Sequence, residues 1–449
     1  MGGPVRSSRE QRAWYWYDWA NSAYFTTILT VLFGPYMIAI VENAAPDCGT
    51  PGCVETLEVL GVQVAAGSLG GYLVTFSTLL GALVLPIVGA VVDRSPRKRL
   101  HMAVYAWIGS IFAGSLYLMT GDSWQIGAVA IVVSNIMVGC SLVSYSALLV
   151  DVSTEEERDR VSSRGWAFGY LGGGLLLVLN LVLVTGHETF GLTEGHAVRI
   201  AMLSAAVWWG GFTLIPFLRL KDRPPTAQVA VEGSLLRRSF GQLADTFRDM
   251  RNYPMTLTFL LAYLFYNDGI QTVIGTAAVY GERELGLETT TLIATILLVQ
   301  FVAVAGALLF GRLAQRHGSL RLIRTGVFAW MGVVALGFFL PPEQPLMFFG
   351  LAVLIGLVMG GTQALSRSFF SLLIPPGREG EYFSLYQALE RGTSWFGSLV
   401  FYLMFQLTGS YRPSILALLA FFALGAFFLA RVDAERGVQE AGNRVPSTL

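Results

Sequence analysis

The chain alternates long apolar runs with short charged connections, and that alternation limits its fold more than any motif. Twelve runs stand out, at roughly 17–40, 69–92, 100–120, 124–147, 165–185, 197–218, 254–279, 289–311, 320–340, 345–370, 382–407 and 411–431. Each approaches or exceeds the ~20 apolar residues a helix needs to cross a bilayer. None alternates in polarity over ~10 residues as a β-barrel strand does. Within the bilayer core, backbone groups must be satisfied inside the segment, so such runs become helices. The expectation is an all-α membrane protein with twelve transmembrane helices. Only 13% of the 449 residues are charged, against about 25% in soluble domains. The 30 basic and 30 acidic residues cancel, which excludes a strongly basic nucleic-acid-binding protein.

Charge sets the orientation. With the N-terminus placed in the cytoplasm, 26 of the 30 Lys and Arg residues fall in cytoplasmic loops and span ends. Arg199, Arg283 and Arg412 fall outside, and Arg391 lies within a run. The positive-inside rule then puts both termini in the cytoplasm and makes the number of crossings even. The first run is too long for a signal-peptide core and opens with Asp18 and Asn21, so it is expected to be retained. Cys48 and Cys53 share the first outside loop, where a disulfide and two free thiols are equally compatible with the sequence. Cys140 falls in a run and is expected to be inert.

The longest connection, 219–253, divides the chain into an N-terminal bundle (1–218) and a C-terminal bundle with a short tail (254–449). Within it, Leu236, Phe240, Leu243, Phe247 and Met250 form one apolar stripe at helical spacing. That stripe suits a helix at the membrane interface or one packed on the bundle. Landmarks recur in register across the two halves. Tyr17-Asp18-Trp19-Ala20-Asn21 in the first run is matched by Tyr266-Asn267-Asp268-Gly269-Ile270-Gln271 in the seventh. Both put a carboxylate and an amide three residues apart, on one helix face. Gly89-Ala90-Val91-Val92-Asp93-Arg94 after the second run is matched by Gly311-Arg312-Leu313-Ala314-Gln315-Arg316 after the eighth. Acidic and basic residues also follow the fourth and tenth runs, at Asp151, Glu157 and Arg158 and at Arg378 and Glu379. Such a parallel repeat about an axis normal to the membrane is a transporter architecture.

The loop Gly89-x-x-x-Asp93-Arg94 followed by Arg97-Lys98-Arg99 resembles the signature loop of the major facilitator superfamily. The first run, Tyr266-Asn267-Asp268-Gly269, and Gly360-Gly361-Thr362-Gln363-Ala364-Leu365-Ser366-Arg367-Ser368 resemble the vacuole-effluxer branch, which includes autophagy-linked vacuolar amino-acid exporters. The resemblance covers nearly the whole chain. It implies two pseudo-symmetric six-helix bundles that rock about a central site, and it suggests amino-acid efflux. Gln315 stands where the pattern prefers Asp, so any charge lock there should be weaker in the C-terminal half.

A charge near the bilayer centre costs several kcal/mol, so charged residues inside runs are the first functional candidates. They are Asp18, Asp268, Glu390 and Arg391. Asp268 lies about 20 Å into the seventh run at 1.5 Å per residue. With Asn267 and Gln271 it forms a polar patch suited to proton coupling or to a structural ion pair with an arginine. Asp18 is shallower and suits a gate, a coupling role or substrate binding, with Asn21 one turn deeper. Trp14, Tyr15, Trp16, Tyr17 and Trp19 read as an interfacial aromatic belt. Glu390 and Arg391 are adjacent and need separate partners. The resemblance brings spans one, four, seven and ten to the cavity, which adds Asn135, Ser141, Ser144, Tyr145, Thr362, Gln363, Ser366 and Arg367. The same polar residues also suit interhelical hydrogen bonding. Asp93, Arg94 and Arg97 are expected to steady one conformation. Gly165-x-x-x-Gly169, Gly172-Gly173-Gly174 and Gly356-x-x-x-Gly360-Gly361 read as packing surfaces.

Lys98 and Lys221 are the only lysines, and neither ends a phosphate-binding loop. No metalloprotease or hydrolase signature occurs, and no metal or cofactor is expected. The function expected is secondary active transport, exporting a small polar solute, rather than enzymatic catalysis, in the inner membrane of a bacterium; the Arg-over-Lys bias points to a bacterial source. The partners expected are a small polar solute such as an amino acid, protons and the lipid bilayer. A lipid-handling protein or a carrier of another metabolite on the same fold is the alternative.

Overall fold

The computed structural model describes residues 8–45, 56–59, 61–224, 248–392 and 394–449. Cys48, Cys53 and the stripe from Leu236 to Phe247 lie outside the described residues. The first helix, α1 (Arg9–Ala44), starts at a capping box. There Gln11 N–H donates to Ser8 Oγ (3.0 Å) and Ser8 N–H to Gln11 Oε1 (3.1 Å). The middle of α1, Tyr24–Leu32, is π-helical. Thr30 Oγ1 donates to the carbonyl of Phe25 five residues back, at 2.8 Å. Wide turns of this kind often mark functional sites.

The other helices are α2 (Ala66–Arg94), α3 (Lys98–Ser115), α4 (Trp124–Val152), α5 (Arg158–Thr185), α6 (Glu194–Arg219) and α7 (Pro254–Arg283). They continue with α8 (Thr289–His317), α9 (Ser319–Phe339), α10 (Pro345–Leu372), α11 (Glu379–Gly392), α12 (Ser394–Thr408), α13 (Tyr411–Ala430) and α14 (Ala434–Glu440). Among the described residues, ten helices are long and apolar enough to cross a membrane. The 30-residue α7 is long enough but falls outside that set, because tyrosines and the Asn267-Asp268 pair dilute its apolar character. The eleventh apolar run is covered by two pieces, α11 and α12. A small antiparallel hairpin, Thr56–Val59 with Val62–Ala65, joins α1 to α2, an addition to the all-helical expectation.

Buried apolar side chains gather into two large cores. One is built from α1 to α6 around Trp14, Tyr24, Met37 and Trp209. The other is built from α7 to α13, joined by Tyr170 of α5, around Phe259, Trp330, Phe370 and Phe422. The two halves meet where α2 and α4 pack on α11, and where α5 packs on α8 and α10. Gly89 of α2 and Gly380 of α11 face each other, and a Cβ on either would strike the other's carbonyl oxygen. The chain beyond α13 also spans both halves. Asn443 Nδ2 donates to the carbonyls of Leu372 (2.8 Å) and Ile374 (2.7 Å), and Ser447 donates to Glu156 of the other half.

Candidate functional site

The centre of the molecule is built around an ion pair that joins the halves. Arg367 of α10 pairs with Asp18 of α1 at 3.1 Å, and both side chains are buried. Tyr145 of α4 donates its hydroxyl to Asp18 at 2.7 Å. Arg367 also donates to the hydroxyl of Ser162 (3.0 Å) and to its carbonyl (3.1 Å). Its guanidinium lies 4.9 Å from the ring centre of Trp14 and 5.3 Å from that of Trp166, within cation–π range. Gly165 makes room, because a Cβ there would meet both Asp18 and Trp14.

Further contacts close the arginine-rich end of the bundle. Asp93 at the end of α2 accepts the backbone N–H groups of Gly380 (2.6 Å) and Glu381 (2.9 Å). A carboxylate thus caps the start of α11 across the interface, where the helix dipole favours negative charge. Lys98 sits between Asp151 (3.3 Å) and Glu379 (3.8 Å). Arg158 donates to the carbonyl of Ser371 (2.9 Å), and Ser368 donates to Asp159 (2.6 Å). Arg94 ends α2, and Arg97 precedes α3 with its N–H on Ser95 Oγ (3.1 Å). Asp93→Ala removes two charge-assisted acceptors. It is expected to weaken this closed end by about 1–2 kcal/mol. The check is faster alkylation of a Ser371→Cys reporter in a background without the native cysteines.

Beyond the ion pair lies a cavity of about 330 Å³ between the halves. Asp18, Glu390, Arg367 and Arg391 line it, two of each sign. Six amides join them: Asn21, Asn135, Gln271, Gln300, Gln363 and Gln387. Arg391 donates to Asn135 Oδ1 (3.4 Å) and lies 5.1 Å from the ring centre of Phe25. Asn135 in turn donates to Ser77 at 2.7 Å. Glu390 accepts from Gln387 at 2.8 Å, so the adjacent charges do have separate partners. Tyr170 donates to Gln363 at 2.6 Å, and Asn21 to the carbonyl of Tyr17 at 2.7 Å.

Eight of the sequence candidates line this cavity: Asp18, Asn21, Asn135, Gln271, Gln363, Arg367, Glu390 and Arg391. Three stand behind it. Tyr145 holds Asp18. Asn267 accepts from Gln271 (3.5 Å) and donates to the carbonyl of Glu390 (3.3 Å). Asp268 is turned about 100° around α7 from Asn267, and its Oδ2 accepts the N–H of Gly397 at 3.0 Å. The patch that the sequence places on one face is therefore split between cavity and interhelical packing. Gln300, Gln387, Trp166 and Tyr170 also line the cavity and were absent from the sequence candidates. No local pattern separates the two glutamines from the other polar residues within the apolar runs.

The family model described as "Vacuole effluxer Atg22 like" matches residues 6–152 and 149–442. The chain belongs to that family. Relatives include the MFS-type transporter YxiO of Bacillus subtilis, 29% identical over 98% of this chain and 99% of its own. Autophagy-related protein 22-1 of Neosartorya fischeri is 24% identical over 97% of this chain and 91% of its own. Among solved structures, the proton:xylose symporter XylE aligns with a TM-score of 0.69 at 13% identity, covering 95% of both chains. A bacterial homologue of ferroportin in the outward-facing state aligns at 0.65 and 15%, covering 95% and 99%. This vacuole-effluxer relative thus has the major facilitator fold, and it is a multi-pass integral membrane transporter.

Proposed function

We propose that the protein exports a small zwitterionic solute, an amino acid, by alternating access with proton coupling. The charge balance of the central cavity carries this reading: two carboxylates and two guanidiniums among amides. Burying an unpaired charge is costly, so a neutral polar cavity favours a solute bearing one charge of each sign. The six-helix bundles at 1–218 and 254–449, joined by the 219–253 connection, would rock about the central cavity, with both termini cytoplasmic. The interlocked arginine-rich end then corresponds to an outward-facing state. Efflux follows the family's description as vacuole effluxers, and the bacterial relative supports a plasma-membrane setting. The transport cycle needs no catalytic step, metal or cofactor.

Coupling is assigned to Glu390, the cavity carboxylate that is not paired with Arg367, rather than to Asp268 behind it. The test is solute-driven proton flux in proteoliposomes, with pooled amino acids, for wild type, Glu390→Gln and Asp268→Asn. The expected result is flux in wild type and in Asp268→Asn, and at least about a tenfold loss in Glu390→Gln while solute counterflow persists. Loss in Asp268→Asn alone moves coupling to α7. Absence of both flux and counterflow with every pool overturns the amino-acid assignment in favour of another metabolite or a lipid.

A further inference from the structure

A second cavity, of about 850 Å³, opens at the arginine-rich end between the start of α1 and the end of α6. Arg9, Arg12, Arg219 and Lys221 line it, together with Ser8, Glu10 and Trp16. Among the described residues, its one carboxylate is already committed. Glu10 accepts the backbone N–H of Lys221 (3.1 Å) and pairs with Arg223 (3.0 Å). Neighbouring cations are spent differently: Arg99 grips Asp222 at 2.9 Å through two nitrogens, and Arg378 pairs with Asp249 and Glu381. No described carboxylate pairs with the four cations of the cavity. A general excess of positive charge on the cytoplasmic side explains their presence on this face. It does not explain their convergence on one concavity.

The surroundings suit a bilayer interface. Trp16 stacks on Phe212 of α6 with ring centres 5.5 Å apart and planes 3° from parallel. The same helix exposes Leu214 and Leu218, one turn apart, at 46% and 69%. A basic hollow beside an outward apolar ridge matches a phosphate with attached acyl chains better than a free anion. We propose that this cavity binds the phosphate of an anionic membrane lipid, with its chains along Leu214 and Leu218. The guanidiniums supply forked donors for phosphate oxygens, and the Trp16 indole sits at headgroup depth. This assignment stands whatever solute the central cavity carries.

The experiment is native mass spectrometry of the purified full-length protein after delipidation, titrated with phosphatidylglycerol, phosphatidylcholine or glycerol 3-phosphate. Each basic residue at an anionic surface contributes about fivefold in affinity. Wild type should therefore retain phosphatidylglycerol about tenfold or more over phosphatidylcholine, and Arg12→Gln/Arg219→Gln should lose that preference. Arg312→Gln/Arg316→Gln, which removes the same charge from α8, should keep it. Equal retention of both lipids by wild type overturns the proposal, as does an unchanged preference in the Arg12/Arg219 variant. Retention of glycerol 3-phosphate as strong as that of the lipid also overturns it, in favour of a soluble anion. Should the double variant fail to fold, Arg12→Gln alone is expected to reduce the preference about fivefold.

Discussion

Replacing Asp18 with Ala is expected to lower folding stability by about 3–5 kcal/mol, because it strands the buried Arg367 guanidinium without its counter-charge. Ser162 remains as a neutral acceptor, and the rings of Trp14 and Trp166 still flank the cation. Neither replaces a carboxylate at 3.1 Å. Thermal unfolding in detergent measures the loss. A double variant, Asp18→Ala/Arg367→Leu, removes both charges and should regain most of the stability, since an apolar pair of suitable volume often matches a buried ion pair. It should not regain transport, because the pair links α1 to α10 across the halves and is part of the cavity wall. Full transport in the double variant would reduce the pair to packing. A single variant as stable as wild type would show that Arg367 is not buried against Asp18.

Gly89→Leu acts at the other end of the same closure. The Cβ of any side chain at Gly89 meets the backbone carbonyl of Gly380, which cannot rotate away as a side chain would. Overpacking of this kind costs about 1–3 kcal/mol. The strain falls on the contact between the halves, so each bundle should still fold. The closed population is expected to drop by about 5- to 150-fold, and solute flux with it. Thermal stability should change little. Labelling of the Ser371→Cys reporter measures the opening directly, and Gly89→Ala should show a milder form. Wild-type labelling and flux in Gly89→Leu would mean that α2 and α11 do not approach this closely during the cycle.

Much of the architecture was legible because its causes are local. A bilayer-length apolar run has few alternatives to a helix, and the repeated landmarks around Asp18 and Asp268 announced a two-part transporter. The exclusion of charge from spans also pointed to Asp18, Glu390 and Arg391, all of which line the cavity. The π-helical stretch at Tyr24–Leu32 was not legible, because Tyr24-Phe25-Thr26-Thr27 has no local signature that distinguishes a wide turn from an α-helix. Gln300 and Gln387 carry polar groups like many others in the chain, and only the approach of α8 and α11 to the centre selects them.

The sequence by itself determined the helical membrane class, the family and the short list of charges that a bilayer would not tolerate without purpose. The tertiary structure decided how those charges are used. It paired Asp18 with Arg367 some 349 positions away, set Glu390 and Arg391 beside different partners, and turned Asp268 toward Gly397. The physical reason is that periodicity fixes which side of its own helix a residue occupies, whereas a partner depends on the rotation and depth of a second helix. Those are set by packing of the whole bundle, with small residues such as Gly89, Gly165 and Gly380 allowing the close approach.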